Sequence, residues 1–215
     1  MERRIWWASV PIYIKIMLKE QKNPFCIVVC EGTSEVAYIR ELNKFLREQE
    51  AHKMFIDKKV GTGDYHAVVK KYREVKKQNL KSHIEIWVDY DRYCRNDNHN
   101  EDDYADRNVS KIPNFLFNYH SFEDFFVMHY DDEVLNRWQD ICQEQGHFVS
   151  PLKSDMAESL LRQHLFPEYA KSSLLPDFVV SKEGLRNLFR HQQSQNCRFK
   201  SDFAVFLMKE LQGII

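Results

Sequence analysis

The order of strand-like and helix-like segments limits most strongly what this chain can fold into. Residues 25–30, 54–60 and 83–88 each have the length and residue content of one strand. Between them, residues 34–50 and 65–78 carry apolar side chains at the spacing of an amphipathic helix. This β-α-β-α-β order predicts a doubly wound parallel sheet with right-handed crossovers.

The rest of the chain extends this pattern and then becomes helical. A fourth strand is predicted at residues 115–119, and Ser121 is a candidate N-cap for the helix after it. Further helices are predicted at about residues 133–144, 154–165, 182–193 and 201–211. We therefore expect an α/β fold, a parallel sheet flanked by helices, with a small helical C-terminal appendage. The expected regions are an N-terminal arm at residues 1–24, an α/β core at 25–131 and a helical region at 132–215.

The composition excludes some classes of protein. With a net charge of −1 over 215 residues, the chain cannot coat nucleic acid by bulk charge. The five cysteines imply no disulfide framework, and no apolar stretch is long enough to span a membrane, so we expect a cytoplasmic protein. The aromatic and aliphatic arm at residues 1–24 is expected to dock on the core or on a partner, which favours a homodimer or a hetero-complex.

Carboxylates follow the first and third predicted strands at the point where each strand ends. Glu31 and Gly32 come directly after the first strand, and Glu35 falls in the first turn of the next helix. Asp89 and Asp91 leave the third strand two residues apart, so both face the same way. The carboxyl ends of parallel strands meet in one crevice, where four acids repel one another unless a cation lies between them. Mg²⁺ or Mn²⁺, which favour oxygen ligands, is therefore the expected cofactor.

Such a site has a defined chemistry. Two divalent ions roughly 4 Å apart can activate water and stabilise the attacking and leaving oxygens of a phosphodiester. Glu31 is either one of the metal ligands or a general base beside the nucleophile. Each half of the pattern alone is a common turn or capping arrangement, and it is their conjunction, in this order, that indicates a site.

These motifs resemble the TOPRIM domain, the metal-binding core of topoisomerases, primases and overcoming-lysogenization-defect nucleases. The likeness rests on residues 28–35 and on Asp89-Tyr90-Asp91. The chain is also similar to the RloB-like group of bacterial defence proteins through Gly61-Thr62-Gly63, residues 121–130 and Tyr169-Ala170-Lys171. In the TOPRIM family the glutamate acts as general base or metal ligand, and the Asp-x-Asp pair binds Mg²⁺. The resemblance, over about residues 25–171, implies a TOPRIM (Rossmann-like) sheet.

The resemblance also implies a function. It predicts a Mg²⁺- or Mn²⁺-dependent endonuclease that cuts DNA or RNA, transfer RNA included, as the toxic effector of an abortive-infection system against phage. Related systems pair such a protein with a separate ATPase that holds it inactive until infection. The sequence contains no Gly-x-x-x-x-Gly-Lys-Ser/Thr motif, so ATP hydrolysis would come from that partner.

Two further residues are candidates for the same crevice. Glu123 follows the fourth predicted strand and is either a fifth metal ligand or an acid that offsets the dipole of its helix. Lys171 is either a surface lysine or, as the resemblance suggests, the cation that neutralises the transition-state phosphate. His120 and His129 are expected to be packing or helix-end residues.

A basic cluster supplies candidates for contacts with nucleic acid. Its members lie on the second predicted strand and on the helix after it, and they are Lys58, Lys59, Lys70, Arg73 and Lys77. These side chains form either a solvated face or a surface that contacts the phosphate backbone.

Two other functions stay open at this point. A non-catalytic TOPRIM module would bind metal or phosphate weakly and use its helical C-terminal region as the working surface. A nucleotide-sugar transferase would use Asp89 and Asp91 to bind Mn²⁺, but this reading leaves Glu31 and Gly32 without a role.

Overall fold

The computed structural model of the protein describes residues 25–60, 65–89, 115–119, 121–148, 152, 154–171 and 173–215. The strands of the described residues are β1 (Phe25–Cys30), β2 (Met54–Lys59), β3 (His83–Asp89), β4 (Phe115–Tyr119) and β5 (Lys200–Ser201). Their helices are α1 (Thr33–Glu48), α2 (Tyr65–Gln78), α3 (Phe122–Val127), α4 (Asp132–Glu144), α5 (Ser154–His164), α6 (Lys182–Gln193) and α7 (Asp202–Glu210). Every strand and helix predicted from the sequence is present within about two residues of its expected bounds.

The five strands form one sheet in the order β2-β1-β3-β4-β5. Strands β1 to β4 run parallel, whereas β5 pairs antiparallel with β4. This arrangement confirms the predicted α/β fold with a largely parallel sheet flanked by helices. The sequence does not predict β5, because two residues are too few to show the alternation of a strand.

The register brings the carboxyl ends of the central strands to one edge of the sheet. Cys30, the last residue of β1, lies opposite Lys59 on β2 and Trp87 on β3. On the other side of β3, Asp89 lies opposite Asn118 of β4. Ligands of open parallel sheets bind at this edge, so the residues that follow these strands are placed where a site is expected.

Helices bury apolar side chains on both faces of the sheet. On one face, α2 packs against alternate residues of β1 and β3 in a smaller apolar cluster. On the other face, α1, α3 and the C-terminal helices share a larger cluster, in which Trp87 stacks on Phe203 of α7 with ring centroids 3.8 Å apart. The residues after 131 therefore contribute an edge strand and a helix buried against the sheet, and not only the appended helices that the sequence predicts.

Several expectations concern residues outside the described ranges. These are the N-terminal arm at 1–24, the Gly61-Thr62-Gly63 turn, Asp91 with the polar stretch that follows it, and His120. Among the helices that the structure describes, none combines the length and the apolar character that crossing a membrane requires.

His129, just after α3, is buried and hydrogen-bonded, as expected for a packing residue. Its Nδ1 lies 3.3 Å from the carbonyl oxygen of Phe125, which only accepts, so Nδ1 carries the hydrogen. Nε2 therefore accepts from the Tyr38 hydroxyl at 2.9 Å. Burial lowers the pKa of His129 to about 4, so the ring is neutral at pH 7.

Acidification should destabilise the protein through His129. The ordinary pKa of 6.5 applies in the unfolded chain, so as pH falls the unfolded state binds this proton before the folded state does. The stability present above that value is lost progressively toward pH 4, by about 3 kcal/mol in total. We expect His129→Gln to flatten this part of the profile in urea unfolding between pH 7 and pH 4. Profiles of equal slope would show that His129 does not contribute.

Candidate metal centre

Glu31 links the two strands that carry the predicted acidic motifs. It follows β1 directly, and its backbone N–H donates to the carbonyl of Trp87 on β3 at 3.2 Å. Its side-chain Oε2 accepts from the backbone N–H of Asp89 at 3.2 Å. Glu31 is 6% exposed, whereas Asp89 is partly buried at the end of β3. The neighbouring positions of β1 and β3 in the sheet thus bring the two motifs together.

Glu35 turns back toward the same edge from the first turn of α1. Its Oε2 accepts from the backbone N–H of Gly32, the N-cap residue, at 3.1 Å. The side chain is 3% exposed, so its carboxylate is shielded from water. The sequence predicts this placement, because a residue in the first helical turn after β1 can point toward the strand ends.

Glu123 and Lys171 meet the site from other parts of the chain. Glu123 lies in the first turn of α3 and is 2% exposed, and the Tyr169 hydroxyl donates to its Oε1 at 3.4 Å. The segment that carries Lys171 is held to α1, since Ser34 Oγ donates to the Lys171 carbonyl at 2.6 Å. The Lys171 ammonium lies 3.8 Å from Asp155 Oδ1, and its charge also acts on Glu123.

The buried acids of this site resist ionisation. Burial, followed by the charges of Glu31 and Glu123, raises the pKa of Glu35 to about 8. Burial raises the pKa of Glu123 to about 7, although the positive charge of Lys171 opposes that shift. Near neutral pH both carboxyls therefore retain a proton more readily than an ordinary glutamate does.

Tyr169 shows that these acids form one electrostatic group. Its pKa is raised well above its usual value, first by burial and then by the charges of Glu123, Glu35 and Asp89. One phenol thus experiences carboxylates from α3, α1 and β3 together. Glu31, Glu35, Asp89, Glu123 and Lys171, all predicted site residues, come together at the carboxyl edge of the sheet.

The donor chemistry fits a hard divalent cation. The described acids offer oxygen ligands only, which Mg²⁺ and Mn²⁺ favour, and a cation would offset the cost of ionising carboxyls whose pKa values burial raises. Among the described residues, the carboxylates of Glu31, Glu35, Asp89 and Glu123 do not form a group of three whose oxygens all lie within 4.8 Å of one another. The fit is therefore one of donor type and charge, and not of ligand spacing.

A second buried polar cluster joins α3, α4 and the turn that follows α4, and the sequence does not indicate it as a site. The ligand atoms of Asp124, Cys142 and His147 all lie within 4.8 Å of one another. Hydrogen bonds already engage two of its three members: Asp124 accepts from Trp138 Nε1 at 2.8 Å, and His147 Nδ1 accepts from the Leu152 N–H at 2.9 Å. Since Nδ1 accepts, Nε2 carries the hydrogen and donates to Asp124 at 2.9 Å. This pattern is that of a structural hydrogen-bond network.

Asp124→Asn should destabilise the protein by about 3 kcal/mol. The carboxylate accepts on both oxygens, from Trp138 and from His147, and an amide would turn its NH₂ toward one of these donors. Urea unfolding measures the loss, with Asp140→Asn on the exposed face of α4 as the control. Stoichiometric zinc in the purified protein, lost in the variant, would contradict the structural interpretation.

The predicted nucleic-acid contacts separate into two groups. Lys59 is the last residue of β2 and pairs with Cys30, the residue that precedes Glu31. Lys58, on the same strand, is partly buried. The remaining three, Lys70, Arg73 and Lys77, are exposed on α2, which covers the face of the sheet opposite α1 and α3. By register, Lys59 is the basic residue of this group nearest the acids in the sheet.

Sequence reasoning missed Asn118, which is 1% exposed on β4 and donates to Asp89 Oδ1 at 2.9 Å. A single amide inside an otherwise aromatic and aliphatic strand is the signal that indicates it.

No protein-family model, curated protein or solved structure matches this chain. The likeness to TOPRIM proteins therefore rests on the sequence motifs alone. What the protein does has to be inferred from the residues that meet at the carboxyl edge of its sheet.

Proposed function

We propose that the protein is a metal-dependent nuclease of the TOPRIM type, which hydrolyses phosphodiester bonds in DNA or RNA. One observation carries the proposal: three buried carboxyls, which follow β1 or lie on α1 and α3, share one electrostatic environment with the partly buried Asp89 of β3 at the carboxyl edge of the sheet. Burial of several carboxyl groups at one place lowers the stability of the empty protein when they ionise, so the cluster is best explained by a ligand with positive charge.

Each residue of the site has a role in this reaction. Bound Mg²⁺ or Mn²⁺ would supply positive charge for the phosphate oxygens and lower the pKa of the attacking water. Asp89, Glu35 and Glu123 would hold the ion, with Asp91 as a further ligand. Glu31 either joins them or accepts the proton of the water.

The cationic side chains complete the proposed site. Lys171 would place its ammonium near the scissile phosphate, where it offsets the charge that builds up in the transition state. Lys59 would contact the phosphate backbone beside the cleaved bond. The exposed basic side chains of α2 would contact the nucleic acid only if it extends over the edge strand β2 to the other face of the sheet.

The biological setting follows from the resemblance to RloB-like proteins. We propose a cytoplasmic effector of an abortive-infection system, kept inactive by a separate ATPase and acting on DNA or on transfer RNA. Association with that ATPase would be the mode of control.

Cleavage by the purified protein tests the proposal. Plasmid DNA and total transfer RNA are incubated side by side with the protein in Mg²⁺, in Mn²⁺ and in EDTA. Cleavage of either substrate that requires the metal supports a nuclease and identifies the substrate class. If the protein cleaves neither substrate, with or without the co-purified ATPase, the proposed nuclease activity is overturned.

A non-catalytic TOPRIM module is the second candidate. It is favoured by the spacing of the described carboxylates, no three of which have oxygens that all lie within 4.8 Å of one another. Such a module would bind Mn²⁺ or nucleic acid and cut neither substrate.

A further inference from the structure

Asn118 lies in direct contact with a candidate metal ligand. It sits on β4 opposite Asp89 in the parallel register and is 1% exposed. Its amide nitrogen donates to Asp89 Oδ1 at 2.9 Å. A buried amide that donates to a carboxylate constrains how the carboxylate is turned.

Two donors determine which way the Asn118 amide points. The indole Nε1 of Trp87, which only donates, lies 3.1 Å from Asn118 Oδ1, so the atom that faces it must be the oxygen. The hydroxyl of Ser201 lies 2.8 Å from the same oxygen. Because this amide oxygen only accepts, the hydroxyl donates its hydrogen to it, while the hydroxyl oxygen accepts from the Ala204 N–H at 3.2 Å. With its oxygen fixed by two donors, the NH₂ group is directed at Asp89.

The network continues from Asp89 into the rest of the site. The backbone N–H of Asp89 donates to Glu31 Oε2 at 3.2 Å. Asn118 thus lies within a hydrogen-bonded series that begins at Glu31, includes two of the candidate ligands and ends at Ser201. Ser201 is the N-cap of α7, so the C-terminal part of the chain contributes to the orientation of the acids.

We propose that Asn118 is a positioning residue of the metal centre, which holds the Asp89 carboxylate in the orientation that binds a divalent cation. The inference rests on the proposed function in one respect, since it assumes that the cation is the Mg²⁺ or Mn²⁺ of the proposed nuclease. Residues that hydrogen-bond to metal ligands affect metal affinity strongly, and their loss typically weakens binding by about 10- to 100-fold.

The experiment measures Mn²⁺ binding by isothermal titration calorimetry, with cleavage measured separately. Asn118→Leu keeps the side-chain size and removes the donor, and its Kd for Mn²⁺ should rise about 10-fold or more. Ser201→Ala keeps Asn118 but removes one of the two donors that orient it, so a smaller rise, of roughly 3-fold, is expected. Circular dichroism establishes that each variant is folded.

Asn43 offers a matched control on α1. It is also buried, and its amide makes two hydrogen bonds with the backbone of Phe55 on β2, at 2.7 and 2.9 Å. Asn43→Leu should therefore lower stability as Asn118→Leu does, while leaving the Kd for Mn²⁺ unchanged. A purely structural role for Asn118 would make the two variants behave alike.

The outcomes separate this inference from the proposed function. Wild-type Kd values in folded Asn118→Leu and Ser201→Ala would overturn the positioning role, even if the protein cuts nucleic acid. Weakened Mn²⁺ binding in both variants of a protein that cuts nothing would support the positioning role and count against the nuclease. Wild-type protein that binds no Mn²⁺ would overturn the positioning role and the metal dependence together.

Discussion

Glu31→Gln and Asp89→Asn should each lower metal-dependent cleavage by at least about 100-fold. Each change removes one negative charge while keeping the size of the side chain. In the first variant the new amide would still offer an oxygen to the backbone N–H of Asp89, so the contact between β1 and β3 is retained. Loss of a residue that only hydrogen-bonds to a metal ligand already lowers metal affinity or activity by about 10- to 100-fold. Removal of a ligand, or of the general base, should lower the cleavage rate at least as much.

The measurement is the initial rate of cleavage on whichever substrate the wild-type protein cuts, at saturating Mg²⁺ or Mn²⁺. Glu48→Gln is the matched control, because it removes an exposed carboxylate from the far end of α1 and should leave the rate unchanged. Cleavage that survives both site variants would place the activity elsewhere in the chain or in a contaminant.

Local sequence patterns were sufficient to predict the central acids. The apolar strands β1 and β3 each run directly into a carboxylate, and parallel strands of one sheet end at one edge. Glu31 and Asp89 therefore follow from segments of six or seven residues, without any knowledge of the rest of the fold. Glu35 follows from the helix that starts just after β1.

Contacts between distant parts of the chain explain what the sequence leaves open. Ser34 and Lys171 are 137 positions apart and meet only because the segment after α5 folds back onto α1. The partners of Asn118 come from β3 and from the two-residue strand β5, which has too few residues to be predicted. Nothing local in the sequence specifies these pairings.

The space around Gly32, and not its backbone conformation, accounts for a glycine at this position. Its φ of −117° is available to any residue. A Cβ at this position would lie 2.9 Å from Glu35 Oε2. The glycine therefore makes room for the buried carboxylate of Glu35 against the backbone.

Glu35→Gln should stabilise the metal-free protein at alkaline pH. The pKa of Glu35 is about 8 in the folded state and near 4.5 in the unfolded chain, so between these values the folded state retains a proton that the unfolded state has lost. The stability of the wild type should therefore fall as pH rises from about 4.5 to about 8, by about 5 kcal/mol over the whole range. Glutamine carries no charge at any pH and still accepts from the Gly32 N–H.

Urea unfolding in EDTA at pH 5 and pH 8 measures this difference. The variant and the wild type should be similar at pH 5, and the variant more stable at pH 8, while Glu48→Gln on the same helix should follow the wild type at both. A variant that is less stable at both pH values would show that the carboxylate stabilises the fold.

Addition of Mn²⁺ should reverse the order of stability. A cation that binds the folded state stabilises it in proportion to the logarithm of its concentration over Kd, and only the wild type has the full set of carboxylates to bind it. At pH 8 the unfolding midpoint of the wild type should rise with Mn²⁺, whereas that of Glu35→Gln should rise much less. The acids would then be groups that lower the stability of the empty protein and are retained because they bind the ion. Equal responses to Mn²⁺ in both proteins would exclude Glu35 from the metal centre.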